Sequence, residues 1–191
     1  MFRVGITGVP GSGKTTLARS LSSRLSNTFN TELISEYARE YISKHGTINY
    51  LWEQYRITNK QIEWEDSVKC DILVTDSPIY LGLLYASNFE IANDKDLMCY
   101  NDIFKLLNKH RSRYDIIFHL EPDIKPIADG IRAKKHLEDN WISESNMFIK
   151  TIFNCLFPSN SFVIVKEINL DKRVSFCLEK IKQLTYNINK E

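Results

Sequence analysis

At 191 residues, with 43% hydrophobic and 26% charged side chains, the chain suits one domain with at most a small lid. A net charge of +1 leaves no global electrostatic argument for nucleic acid or a membrane surface. No apolar run approaches the roughly 20 residues a membrane span needs, and no signal-peptide pattern opens the chain. A cytoplasmic protein is expected, in the host cytoplasm if a phage encodes it. Abundant Ile, Asn and Lys with few Gly and Ala have the flavour of AT-rich coding in a phage or bacterium. Cys70, Cys99, Cys155 and Cys177 stand far apart with no Cys-x-x-Cys pair, so buried thiols in a reducing compartment are expected, not zinc or redox chemistry.

In chain order, Phe2 to Thr7 is β-rich and ends on Gly8, which predicts a short buried strand. Gly8-Val9-Pro10-Gly11-Ser12-Gly13-Lys14-Thr15 then fits Gly-x-x-x-x-Gly-Lys-Ser/Thr, a phosphate-cradling loop. Leu17, Leu21 and Leu25 recur every fourth residue in the helix expected over 15–25. A second strand is expected within 30–35, followed at once by the polar cluster Glu36 to Ile42. A helix is predicted over 51–69, and Ile72 to Asp76 is a third strand, an apolar run closing on an acid. Ser77-Pro78 breaks it before a short helix over 79–87.

A helix over 96–111 is expected to bury Leu97, Tyr100, Phe104 and Leu107, and Tyr114 to Leu120 is a fourth strand. Residues 123–142 are polar, interrupted by Pro126 and Gly130, and form the candidate lid. Ser143 offers an N-cap to a helix carrying Phe148, Ile152 and Leu156. Phe162 to Val165 is the fifth strand, and Asn169 or Asp171 caps a last helix with Val174, Cys177, Leu178, Ile181 and Leu184 inward. Strands alternating with helices predict an α/β three-layer sandwich with a five-stranded parallel sheet, in one domain over 1–191.

The loop supplies the chemistry. Gly8, Gly11 and Gly13 let phosphate oxygens approach the main chain, and the amides of Ser12 to Thr16 open a helix whose dipole favours anions. Lys14 reaches the β- and γ-phosphates of ATP or GTP, and the Thr15 hydroxyl can ligate Mg²⁺. Asp76, at a strand tip, can hold Mg²⁺ through water or take the proton of a substrate hydroxyl. Glu36, at the tip of the second strand, is a candidate general base, with Arg39 placed to clamp a substrate group. In Asp129-Gly130-Ile131-Arg132, with Lys134 and Lys135 after it, one cation is expected over the transferring phosphates. Arg132 comes first because its fork suits phosphate. Closing such a cation is worth roughly 10³–10⁵ in rate in the best cases.

Residues 105–136 hold eight basic groups against four acidic ones, an excess suited to a polyanion or to ATP itself. Lys109, Arg111 and Arg113 read as a solvated helix end. His45, His110, His119 and His136 have no metal-ligand spacing, and Trp52, Trp64 and Trp141 read as packing.

On Gly8–Thr15, Ser35-Glu36-Tyr37-Ala38-Arg39-Glu40-Tyr41, Thr75-Asp76-Ser77 and Asp129–Arg132, the chain resembles the P-loop kinases. More narrowly, it resembles the ribosylnicotinamide kinase domains of bacterial NAD regulators and related phage nucleoside and DNA-base kinases. The resemblance spans nearly the whole chain in order. It implies a nucleoside–nucleotide kinase-like fold, ATP as donor, Mg²⁺, and a nucleoside-like acceptor hydroxyl. By the same resemblance Glu36 and Arg39 lie beside the acceptor, Asp76 by the metal and Arg132 in the lid. Phage enzymes that phosphorylate 5-hydroxymethyluracil within DNA look similar, so DNA is an alternative acceptor. A regulatory ATPase or NTP-dependent switch acting through a partner is the reading from another class.

Overall fold

The computed structural model describes residues 1–122, 138–157 and 161–188, with side chains to residue 185. Asp129, Gly130, Ile131, Arg132, Lys134 and Lys135 of the candidate lid therefore lie outside the described residues. Five strands form one parallel sheet: β1 (Phe2–Gly8), β2 (Thr31–Ile34), β3 (Ile72–Asp76), β4 (Ile116–Leu120) and β5 (Phe162–Val165). Their order is β2-β3-β1-β4-β5, so the strand feeding the glycine-rich loop lies at the centre. Ile6 pairs with Asp76 and Gly8 with Leu120, which brings the tips of β3, β1 and β4 side by side at one end of the sheet.

Alternation along the strands builds two cores. Val4, Ile6, Val74, Phe118 and Val165 face α1 (Lys14–Leu25) and α7 (Leu170–Ile188), where Leu17, Leu21, Val174 and Ile181 meet them. Leu17 and Leu21 are fully buried, and truncating either to alanine would cost about 2–5 kcal/mol. Ile117 and Phe162 face the other layer, formed by α3 (Leu51–Ser67), α4 (Leu81–Ala86), α5 (Asp94–Lys109) and α6 (Asp139–Leu156). Asn169 caps α7, its side chain accepting from the Lys172 amide. Among the described residues no helix is long and apolar enough to cross a membrane.

Several details depart from the sequence reading. The cluster after β2 is a nine-residue helix in its own right, α2 (Tyr37–His45), which its polar composition hid. On α5 the buried line is Ile103 and Leu107, while Leu97 and Phe104 face solvent at 46% and 52% exposure. That helix is apolar on two sides, and packing against α3 and α4 selects one. Helix α6 starts four residues before Ser143, so 139–142 are its first turn and not lid. Asp139 there suits the positive end of the helix dipole, and the buried line is Ile142, Ser145, Ile149 and Phe153, leaving Phe148, Ile152 and Leu156 at its flanks. Of the cysteines only Cys177 is buried; Cys155 is exposed and the other two are half-buried.

Arg113 is the largest correction. Its side chain is 3% exposed and pairs with fully buried Glu65, Nε to Oε2 at 2.6 Å, and with Asp66 at 2.9 Å. Burial works against the Asp66 charge, but Arg113 and Arg3 outweigh it and hold that carboxyl below its usual value. Its partners are 47 and 48 residues away, beyond any local pattern. Arg113 therefore adds nothing to a surface for a polyanion.

After Asp76 the chain folds back across β1, and Pro78 sits over Gly5. A Cβ on Gly5 would lie 2.8 Å from Pro78 Cγ and 3.2 Å from Ile117 Cγ1, neither of which can swing away. Gly5→Ala is expected to lower unfolding stability by about 1–3 kcal/mol. Urea denaturation measures it, and an unchanged midpoint would mean that the Pro78 turn is not held as described.

Candidate active site

The loop between β1 and α1 is shaped by its glycines. Gly8 has φ 150°, Gly11 82° and Gly13 89°. Gly8 is also tight: a Cβ there would meet the Leu120 carbonyl oxygen at 2.8 Å and Ser12 Oγ at 2.6 Å. Gly13 stands at the N-cap of α1, which has no side-chain cap and no acid in its first turn. The first amides of α1 and its positive dipole end thus face the loop, the arrangement that binds phosphate. Lys14, only 7% exposed, donates from Nζ to the Val9 carbonyl at 3.1 Å, which holds its ammonium under the loop. Thr16 is exposed beside it.

Asp76 faces α1 from the tip of β3. Thr15 Oγ1 donates to its Oδ2 at 2.6 Å, and the residue is 3% exposed. Burial pushes the Asp76 carboxyl above its ordinary value; the Thr15 hydroxyl and Lys14 pull it down, Glu36 pushes it up, and Arg39 pulls it down again. Glu36 and Arg39 are thus electrostatic neighbours of Asp76. Arg39 Nε donates to Glu36 Oε2 at 3.0 Å, both side chains partly open to solvent. Ser77, next to Asp76, has φ 78°, a backbone setting that costs a non-glycine residue about 1–3 kcal/mol and gathers at functional sites.

Buried polar atoms without a partner mark the same place. Among the described residues they are Thr7 Oγ1, Ser12 Oγ, Thr75 Oγ1, Asp76 Oδ1, Ser77 Oγ and His119 Nδ1. All belong to the loop or to the tips of β1, β3 and β4, and each unsatisfied group costs about 1–3 kcal/mol. A polar ligand recovers that cost. Asp76, with Oδ2 on the Thr15 hydroxyl and Oδ1 without a partner among the described residues, also fits a hard cation such as Mg²⁺, which takes oxygen ligands and leans on substrate phosphates more than on a protein cage. Among the described residues no group of three His, Cys, Asp or Glu side chains forms such a cage.

Two further features escaped the sequence. Arg173, 3% exposed on the first turn of α7, donates from Nη1 to the Ser12 carbonyl at 3.0 Å and from Nε to the Glu167 carbonyl. It ties the loop to the β5–α7 connection across 161 residues, with no local signal. At the tip of β4, His119 is fully buried, its Nε2 2.7 Å from Asn146 Oδ1. Asn146 Nδ2 donates to Glu121 at 3.1 Å, so Oδ1 is the acceptor and the His119 proton sits on Nε2. Burial lowers the His119 pKa to about 4, keeping the ring neutral. Lys150 completes the group by pairing with Glu121 at 2.5 Å.

A central strand, a glycine-rich turn, an uncapped helix start and a buried acid on the adjacent strand define a P-loop nucleotide-binding protein of nucleoside kinase-like fold. The chain belongs to the AAA domain family, whose profile matches residues 3–173. It is 25% identical over 189 residues to the trifunctional NAD biosynthesis/regulator protein NadR of Salmonella typhimurium, covering 95% of this chain and 42% of that protein. It therefore spans less than half of this curated relative. In fold it is similar to NadR in complex with NR, with TM-score 0.67, 19% identity and coverage of 96% of this chain and 50% of the other. It is also similar to deoxyadenosine kinase from M. mycoides with products dCMP and dCDP bound. There the TM-score is 0.63 and identity 14%, with coverage of 95% of this chain and 100% of the other.

The raised pKa of Asp76 makes its ionisation a cost to folding. That cost builds up as the pH rises from the ordinary aspartate value to the raised folded-state value, is complete above the latter and is absent well below the former. Asp76→Asn is therefore expected to melt above the parent at pH 7, with the gap closing as the pH falls toward 3.8, the ordinary aspartate value. Melting curves across pH check this; a variant that melts below the parent at pH 7 contradicts it.

Proposed function

We propose that this protein transfers the γ-phosphoryl group of ATP to a hydroxyl of a nucleoside- or nucleotide-like acceptor. The observation that carries the reading is the meeting of two carboxylates at the mouth of a phosphate loop. Asp76 is buried against Thr15, and Glu36 with its Arg39 partner lies at the next strand tip within electrostatic reach of it. The dCMP and dCDP named for the deoxyadenosine kinase structure and the NR named for the NadR structure support an acceptor of that nucleoside- or nucleotide-like class. A ribosylnicotinamide-like nucleoside is the first candidate.

In this reading the amides of Gly11 to Thr16 and the Lys14 ammonium bind the triphosphate and gather charge as it develops on the γ-phosphoryl oxygens. Asp76 and the Thr15 hydroxyl would hold Mg²⁺, which when bound supplies further charge neutralisation at the phosphates. Arg39 orients the acceptor. Glu36 takes the proton as the acceptor oxygen bonds to the γ-phosphorus and the bond to the β,γ-bridging oxygen breaks, releasing ADP. Arg132, with Lys134 and Lys135 as alternates, is proposed from the sequence alone to add charge over the transferring group. The withdrawal of Arg113 into the core removes one support for DNA as acceptor.

Labelled ATP, offered with a panel of nucleosides, nucleotides and an oligonucleotide bearing 5-hydroxymethyluracil, tests the reading. Transfer to a free nucleoside is expected, and release of phosphate to water alone would overturn it in favour of a regulatory ATPase. Lys14→Ala should reduce transfer on the order of 10²–10³-fold or more with the fold intact. Glu36→Gln should slow transfer by roughly 10²–10⁴-fold, with little change in ATP affinity. A Glu36→Gln enzyme of parental rate would reject Glu36 as the base.

A further inference from the structure

Both carboxylates border short turns, and something must hold those turns in place. Strand β2 is a four-residue edge strand whose ladder with β3 ends at Ile34 and Thr75. Glu36 follows where no strand partner remains, and its own side chain makes no cap to α2. The Gln61 carboxamide replaces the missing ladder. Its Oε1 accepts from the Tyr37 amide at 2.8 Å and its Nε2 donates to the Ser35 carbonyl at 3.3 Å, one bond on each side of Glu36.

The contact continues one helical turn along α3. Gln61 Nε2 also donates to Glu65 Oε1 at 3.4 Å, and both residues are buried, Glu65 completely. Tyr114 Oη donates to the Glu65 carboxylate at 2.8 Å and accepts from the Ile79 amide at 3.0 Å. Ile79 closes the turn that leaves Asp76 through left-handed Ser77 and Pro78. Arg113 balances the Glu65 charge from the same side.

We propose that Gln61 and Glu65 form a polar spine that sets the spacing of Glu36 and Asp76. Gln61 holds the Glu36 turn, and Glu65 holds the turn after Asp76 through Tyr114. Gln61 is then a positioning residue of the acceptor side, acting through Glu36 and touching neither nucleotide nor acceptor. The kinetic part of this inference rests on the reading of Glu36 as general base. Misplacement of a reacting group by about 1 Å can cost roughly 10²-fold, so loss of this brace should register in rate before it registers in stability.

Gln61→Met keeps the volume and removes both bonds to the Glu36 turn. The variant is expected to fold and to bind ATP within about two-fold of the parent, with transfer slowed about ten-fold or more. Combined with Glu36→Gln, it should add less than roughly two-fold to the loss from Glu36→Gln alone, because both changes remove one function. A merely structural residue would lower the melting temperature and multiply the losses.

Amide hydrogen exchange gives an arm independent of catalysis. The Tyr37 and Ile79 amides should lose protection together in Gln61→Met. If that variant does not fold, Tyr114→Phe should strip protection from Ile79 and slow transfer. Parental turnover in Gln61→Met, full multiplicative loss in the double variant, or Ile79 protection unchanged while Tyr37 is released would each overturn the proposal. A parent that phosphorylates no acceptor defeats the kinase reading by itself, and the exchange result then decides for or against the spine.

Discussion

The contact on which the molecule turns is the 2.6 Å hydrogen bond from Thr15 to Asp76. It joins the first turn of α1 to the tip of β3, and it can form only if β3 lies directly beside β1 with Ile6 opposite Asp76. The parallel pairing, the crossing of Pro78 over Gly5 and the left-handed turn at Ser77 all serve that register. A carboxylate taken this far from water is unfavourable unless charges and donors face it. Here Thr15, Lys14 and Arg39 supply them, and one oxygen of Asp76 still has no partner among the described residues.

The two faces of the sheet divide the labour. The α1–α7 layer is apolar below the loop, closed by Leu17, Leu21, Val174 and Ile181. The opposite layer carries polar groups in chains: buried Gln61, Glu65, Tyr114 and Arg113 on one side, and buried His119 with half-buried Asn146, Glu121 and Lys150 on the other. Such networks are costly when incomplete and rigid when satisfied. Their placement beneath the strand tips means rigidity is concentrated where side chains must be aimed. Unsatisfied atoms collect where a ligand can complete them.

Much of this could be read from the chain, and the parts that could not share a cause. The glycine-rich loop and the limits of β3 and β5 were legible because the signal lies within a few residues: a glycine spacing, or an apolar run with breakers. The nearness of Glu36 and Asp76 followed once parallel strands were inferred. The fate of Arg113 was hidden, because the residues that bury it lie on α3. Gln61 and Arg173 look like ordinary helix residues until the fold sets them against the Glu36 turn and the Ser12 carbonyl. The buried side of α5 and the start of α6 depended on which neighbours cover an apolar or polar stretch, which no periodicity specifies. Residues 123–137 of the proposed lid lie outside the described residues.

If the Thr15–Asp76 pair exists to hold a cation against a bound triphosphate, nucleotide affinity must depend on that cation through those two side chains. Calorimetric titration of ATP, with Mg²⁺ and with the metal chelated, on the parent and on Thr15→Val measures this directly. The account predicts markedly tighter binding with Mg²⁺ in the parent and little difference in Thr15→Val, whose metal-free affinity stays close to the parent's. Binding by the parent that is indifferent to Mg²⁺ would contradict it.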